Sequence, residues 1–470
     1  MLEVLLLLEI PSDVTLHYVI YALMTIIIVF LFTRKSYRPK APVVLTPQEI
    51  NELITTWEPT PLICNKVDEY QKFNIETVPV VKSVNKELIS IEGYDNLINF
   101  GTSNYLGLAQ GSELIEPSTL GTLHATGLGS CGPRNFYGTL DVHLDFESRM
   151  AKFLNVDSAI LYSSSIATCA SVIPTFSARG DYILSDERVR KSIQVGNYTS
   201  RSNVTYFRHN DLNHVEELMI QITKNIQKSK QKEIRRFIVV EGVYQNYGTM
   251  CRLREIIALA KQYKFRVILD DSVGLGALGA TGRGTLEYLG MKASDVHVYC
   301  ADISTSLGSL GGVCCGEEEM VRVQRLNGSG YMYSASNPPY LCTAGMVALN
   351  TIDEKPEVVQ RLQKNSVLIH KLIKEIPQIE TEGFDECPFL VFRIIEKFRP
   401  DSVLEEAKLY QRIVEFVREK GAAISRTKYT NLEKYPPPPQ IKVSVMSEHS
   451  EEQIRQVASA IKEAINTLVQ

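Results

Sequence analysis

The 470-residue sequence has no Cys-x-x-Cys pair, no internal repeat, and no dense basic run outside Lys224–Arg236. The first absence, together with an odd total of nine cysteines, argues against both a disulfide framework and a zinc site. Cys314 and Cys315 are adjacent, and adjacent residues of a strand point to opposite faces, so the thiols read as buried and reduced, which fits a cytosolic body. A net charge of −4 and a pI of about 6.1 remove nucleic acid from the expected partners, and the Lys224–Arg236 run reads as a solvated loop after a helix. With 44% apolar and 22% charged residues, the chain is long enough for two or three domains and a large core.

Charge is also missing from Val14–Thr33, a run of 20 residues without Lys, Arg, Asp or Glu. As a helix rising about 1.5 Å per residue it would cover roughly 30 Å, the thickness of a bilayer's hydrocarbon core. His17, Tyr18 and Tyr21 lie near one end, where an interfacial belt is expected. Glu3, Glu9 and Asp13 precede the run and Arg34, Lys35, Arg38 and Lys40 follow it, the reverse of a cleaved signal peptide. The sequence therefore predicts a transmembrane helix over 14–33, with residues 1–13 lumenal and the body cytosolic. Leu2–Ile10 reads as a surface-lying or disordered segment.

Residues 34–95 read as a connector, with a helix around Pro47–Trp57 and a short sheet near Val78–Ile91. Over 96–344 apolar strands alternate with amphipathic helices, which predicts a large α/β domain on a mainly parallel sheet. In one unit, the apolar run Phe237–Val240 suits a strand buried on both faces. Leu253, Ile256, Ile257, Ala260 and Tyr263 then recur at helical spacing, and Phe265–Leu269 gives a second strand ending in Asp270-Asp271. Strand C-termini are where open α/β sheets place ligands. Residues 345–470 read as a smaller α+β domain, with a stiff spacer at Pro436–Pro439. A strand at Ile441–Val445 follows, then a last helix capped by Ser450 and Gln453 with Ile454, Val457, Ile461, Ile465 and Leu468 on one face.

Six segments recur in a fixed order across the large domain. They are Asn104–Leu108, Gly129–Arg134 with Tyr137–Thr139 and His143, Tyr162–Ser165, Asp270–Ser272 with Gly276–Gly284, Leu307–Gly312, and Ser334–Pro339. Each by itself is a turn signal. Together, over residues 95 to 460, they resemble the α-oxoamine synthases, fold-type I pyridoxal-phosphate (PLP) enzymes that condense an amino acid with an acyl-CoA. Glu241–Tyr244 and His449 also resemble that family's pattern.

The resemblance implies a lysine that holds PLP as an imine and an Asp that keeps its ring nitrogen protonated. At the lysine position stands Thr305, whose hydroxyl cannot form an imine, and no lysine occurs between Lys292 and Lys355. Asp270 matches the ring-nitrogen partner, but the family's nearby His is Val273, and the ring-stacking His is Arg190. Guanidinium groups also stack on aromatic planes. The phosphate-binding turn has serines in place of its Gly. Ser164 and Ser165 either hold an anion at a helix N-terminus or cap the helix.

Members of the family are dimers with sites at the subunit interface. The resemblance thus implies that this chain is inactive by itself, pairs with a lysine-bearing, PLP-bearing subunit, and lends loops to that subunit's site. The candidates are Cys131, Arg134, Tyr137 and Thr139 on one loop and Tyr333 and Ser334 on the other, with Arg134 and Arg190 supplying charge near a cofactor or carboxylate. It also implies a small activating subunit, Orm-type regulators and a lipid membrane as partners, and no metal. An active synthase with unorthodox cofactor attachment, and a membrane-anchored binding protein on a disused fold, are the alternatives.

Overall fold

The computed structural model describes residues 12–33, 45–60, 62, 67–109, 115–228, 233–430 and 432–469, with the side chains of 12–16 set aside. The chain divides into two compact units, Met1–Lys66 and Val67–Gln470.

In the first unit a 22-residue helix, α1 (Ser12–Thr33), occupies the charge-free run, and Ile26, Leu31 and Phe32 on it are exposed. The expected transmembrane span is not supported, because among the described residues no helix is long and apolar enough to cross a membrane. Residues 1–11 and the basic flank Arg34, Lys35, Arg38 and Lys40 lie outside the described residues, as do the readings placed on them. A second helix, α2 (Pro47–Thr56), starts where the connector helix is expected. Thr46 and Glu49 close a capping box at its N-terminus.

In the second unit a short helix, Glu69–Glu76, precedes an antiparallel meander, β1 (Val81–Asn85), β2 (Leu88–Ile91) and β3 (Tyr94–Asn99). The central sheet comprises β4 (Ser158–Tyr162), β5 (Tyr182–Asp186), β6 (Asn203–Phe207), β7 (Arg236–Glu241), β8 (Arg266–Asp270), β9 (Val298–Asp302) and β10 (Gly312–Gly316). Their order is β4-β10-β9-β8-β7-β5-β6, and β9, β8, β7, β5 and β6 run parallel. Only β10 is reversed against its neighbours, since a short connection from β9 permits an antiparallel pair whereas a parallel one needs a long crossover. Phe237–Val240 are buried throughout, as a strand covered on both faces requires. The helix Leu253–Tyr263 buries Leu253, Ile256, Ile257 and Ala260.

Beyond the central sheet come β11 (Ile379–Glu382), β12 (Phe389–Ile394), β13 (Ala422–Ala423), β14 (Ser425–Arg426) and β15 (Ile441–Ser444). A four-stranded antiparallel sheet forms in the order β11-β12-β15-β14, while β13 joins β3 in parallel. The last helix, Glu451–Leu468, has the expected Ser450–Gln453 capping box and buries Ile454, Val457, Ile461 and Ile465. Pro436–Pro439 form neither helix nor strand.

This topology brings the chemistry to one edge. Asp270 ends β8, Glu241 ends β7, Asp186 ends β5, and Tyr162 ends β4, while the β9–β10 connection carries Thr305. These are the strand C-termini of the parallel part, the place where open α/β sheets form ligand crevices.

Candidate functional site

Asp270 and Asp271 leave β8 in different directions. Asp271 turns toward the glycine-rich turn that follows. It accepts from the Thr285 backbone N–H at 2.8 Å, the Thr285 hydroxyl at 2.5 Å and the Tyr299 hydroxyl at 3.1 Å. Burial pushes its carboxyl up to about 7. Gly274 and Gly284 lie so close that a Cβ on either would meet an Asp271 oxygen at 2.1 Å. Asp271 therefore holds the turn together.

Asp270 turns instead toward Arg190 and is 1% exposed. Its Oδ1 accepts from the Ser272 backbone at 3.1 Å and the Ser272 hydroxyl at 2.5 Å. Its Oδ2 accepts from the Cys169 thiol at 3.3 Å and, at 2.6 Å, from Nε of Arg190. Arg190 stands at the N-cap of the helix Lys191–Ser200, where its extended backbone turns the side chain back toward the sheet. Its guanidinium also donates through Nη1 to the Ser165 hydroxyl at 3.3 Å and to Oε1 of Gln245 at 3.2 Å. Its backbone N–H donates to Oε1 of Glu241 at 2.6 Å.

Burial works against the charge on Arg190. The neighbouring Asp270 outweighs it, Glu241 adds to the effect, and the guanidinium is held charged. Glu241 is lifted above the usual carboxylate range, first by burial and then by the neighbouring Asp270. The result is one buried cation among buried acids, with every contact within hydrogen-bonding reach.

Thr305 lies in the β9–β10 connection, and its hydroxyl donates to the Ser272 carbonyl at 3.1 Å. Its own carbonyl accepts from the Tyr105 backbone at 2.9 Å. Val273 is 2% exposed and offers only methyl groups. Asp270, Arg190, Ser165, Ser272 and Thr305 are thus brought together by direct hydrogen bonds.

The serines at the start of the helix Ser165–Phe176 behave differently from a capping pair. Ser164 occupies the N-cap but makes no side-chain capping bond. Ser165 receives Arg190, and Ser163 shares a hydrogen bond of 3.0 Å with Ser334.

The two loops expected to act across an interface are clamped to each other. Pro133 and Ala335 form an antiparallel bridge, the Ser336 backbone donates to the Gly132 carbonyl at 3.1 Å, and the Ser130 and Ser336 hydroxyls lie 2.6 Å apart. A Cβ on Gly138 would fall 1.9 Å from the Gly132 carbonyl oxygen, so this loop closes only with glycine there. Tyr137 is 98% exposed and Tyr333 79%, and Cys131 is exposed with a left-handed φ of 54°.

Arg134 does not join them at the surface. Its Nη1 meets Oε1 of Glu147 at 2.9 Å, and its Nε donates to the Thr139 hydroxyl at 3.0 Å. Glu147 also takes Arg325 and the Leu161 backbone, each at 2.9 Å. The charge expected to reach a cofactor or carboxylate is spent on fastening the loop to the body. His449 likewise turns inward and stacks on Phe100 at 3.9 Å between ring centroids.

Sequence reasoning singled out Arg190 and Asp270 separately and did not pair them. It left Gln245 and Cys169 unmarked. The available signal for Gln245 was its place four residues after Glu241, the end of a buried strand beside β8. Cys169, inside an apolar helix, carried none.

Residues 95–461 match the aminotransferase class I and II family. The long chain base biosynthesis protein 1c of Oryza sativa subsp. japonica is 38% identical over 455 residues, covering 96% of this chain and 92% of that protein. Serine palmitoyltransferase 1 of Dictyostelium discoideum is 35% identical over 456 residues, covering 96% and 94%. A solved structure of SPT with a PLP internal aldimine superposes with a TM-score of 0.75 at 21% identity, over 85% of this chain and 96% of that one, a likeness of fold. The chain belongs to the aminotransferase class I and II family and, within it, to the group of long chain base biosynthesis protein 1 and serine palmitoyltransferase 1.

Proposed function

We propose that this chain is the non-catalytic but required subunit of a serine palmitoyltransferase. It pairs with a PLP-bearing subunit that condenses L-serine with palmitoyl-CoA to 3-ketosphinganine, CO2 and CoA. PLP is the cofactor that the fold family implies, and the residues present here do not fit it. Thr305 offers a hydroxyl already bonded to the Ser272 carbonyl, and Asp270, the ring-nitrogen partner, is already paired with Arg190. The Arg190–Asp270 contact is the observation that carries this reading, because it adds a second obstacle to the missing amine.

The clamped loops support the pairing half of the proposal. Aromatic side chains as exposed as Tyr137 and Tyr333, with the adjacent Phe136 and the earlier Leu128 also exposed, suit the core of a protein interface. Such aromatic anchors carry a large share of binding energy. The same proposal places the subunit at the endoplasmic-reticulum membrane, with a small activating subunit and Orm-type regulators as further partners. The exposed apolar side chains of α1 support contact with a lipid surface.

Co-expression of a tagged form of this chain with candidate lysine-bearing paralogues tests the reading. The expected outcome is a one-to-one complex that releases CO2 from serine with palmitoyl-CoA, while the chain purified by itself releases none. Turnover by the isolated chain above its heat-inactivated control overturns the proposal.

A further inference from the structure

Four observations meet at Arg190. It occupies the position where the family resemblance puts a residue stacked on the cofactor ring. Its Nε lies 2.6 Å from Oδ2 of Asp270, the oxygen pair that the resemblance assigns to the ring nitrogen. Its Nη1 reaches Ser165, at the start of the helix that in the resemblance receives the phosphate. Both ends of the pair are buried, with side chains 8% and 0% exposed.

A protonated pyridine ring and a guanidinium are chemically parallel here. Each is planar, cationic and able to donate N–H to a carboxylate. A buried carboxyl has to be met by hydrogen-bond donors, a proton or a cation; Asp271 takes the first course, whereas Asp270 takes a cation, Arg190.

We propose that the Arg190 side chain is a built-in stand-in for the protonated ring of PLP. It satisfies Asp270 from within, so that this subunit folds with its crevice closed and excludes the cofactor independently of the missing lysine. The proposal rests on Asp270 being the ring-nitrogen position. It stands apart from the heterodimer reading, because its test uses only this chain. Removing the guanidinium vacates the space beside Asp270 and leaves a carboxylate that seeks a planar cation. The variant pocket is then expected to accept a pyridinium that the native one refuses.

The probe is pyridoxamine 5′-phosphate. It carries the protonatable ring and the phosphate but has no aldehyde to react with surface lysines. The purified full chain, Arg190→Ala, Arg190→His, and Arg190→Ala combined with Asp270→Asn are titrated by calorimetry, with inorganic phosphate as the control ligand. Their melting curves are recorded in parallel.

The native chain is expected to give no saturable binding up to roughly millimolar probe. Arg190→Ala is expected to melt lower, to bind the probe at least about tenfold more tightly than the native chain, and to regain its melting temperature as the probe saturates it. Adding Asp270→Asn is expected to abolish the gain, and inorganic phosphate is expected not to reproduce it. Arg190→His, whose smaller imidazole is mostly neutral above about pH 7, takes the place of Arg190→Ala if the latter does not fold. Saturable binding by the native chain, an opened variant that folds but gains nothing, or a gain that survives Asp270→Asn each overturns the proposal.

Discussion

Neighbouring residues with the same side chain do different work in this chain, and the difference comes from what each can reach. Asp271 meets three donors and pins a glycine turn, while Asp270 meets a cation. On the proposed reading, a single restored amine therefore does not restore chemistry. Thr305→Lys is expected to leave the isolated chain inactive, because Arg190 still holds Asp270 and Val273 still lacks a polar atom. Robust 3-ketosphinganine formation by that variant counts against this account of the crevice.

His449 gives a residue-level test in pH. Burial holds its imidazole down at about 3, far below the ordinary 6.5, so the folded chain favours the neutral ring. For a base with a lowered folded pKa, the stabilising contribution is complete above about 6.5 and is lost as pH falls through the folded value. Relative to His449→Phe, which keeps the stack on Phe100 but cannot titrate, the native chain is expected to lose roughly 1.4 kcal/mol per pH unit as pH falls below 6. Denaturant melts of the two proteins at pH 7, 5.5 and 4.5 measure this. A gap that stays constant across the series refutes it.

At the scale of elements, one buried carboxylate joins four pieces of the fold. Glu147, on the helix Asp141–Leu154, binds Arg134 of the Cys131–Thr139 loop, the Leu161 backbone of β4, and Arg325 of the helix Glu318–Asn327. Glu147 and Arg134 have side chains only 4% and 3% exposed, so breaking the pair strands a buried charge. Glu147→Ala is expected to cost about 3–5 kcal/mol in chemical denaturation. It is also expected to free the Cys131–Thr139 loop to proteolysis before the rest of the chain. A loss below about 1 kcal/mol, the range of surface pairs, shows that the pair does not fasten the loop.

Elements with strong local signals were legible in the sequence. The strand Arg236–Glu241, the helix Leu253–Tyr263 and the capped helix Glu451–Leu468 lie where periodicity and capping residues put them. The first meander was only partly legible, running past Ile91 to Asn99, because β3 finds its second partner in Ala422–Ala423, more than 300 residues further on. Capping was one of the two readings of the serines of Ser163–Ser165 because it is a local pattern, whereas Ser163 and Ser165 bond Ser334 and Arg190, which are distant in sequence.

For the whole molecule, the proposed loss of cofactor contacts from a body with an enzyme's architecture leaves its surface to act with. Tyr137 and Tyr333 are expected to contribute to pairing and little to folding, since both are exposed in the single chain. Tyr137→Ala with Tyr333→Ala is expected to weaken assembly with the lysine-bearing subunit at least about tenfold, while the melting temperature of the chain stays within about 1 °C. Analytical ultracentrifugation of the mixed subunits measures the first and calorimetry the second. Unchanged assembly, or a large drop in melting temperature, removes these loops from the interface.

The sequence by itself determined the alternation of strands and helices, the order of the six motifs and the absence of an amine at Thr305, since each is a matter of which residue follows which. Only the tertiary structure decided that Arg190 answers Asp270 across 80 residues of chain and that Arg134 turns inward to Glu147. The same holds for Ser165, which receives a guanidinium where a capping bond was one of the expectations. A charge chooses its partner by distance and burial, and both are set only when the sheet aligns its strand ends.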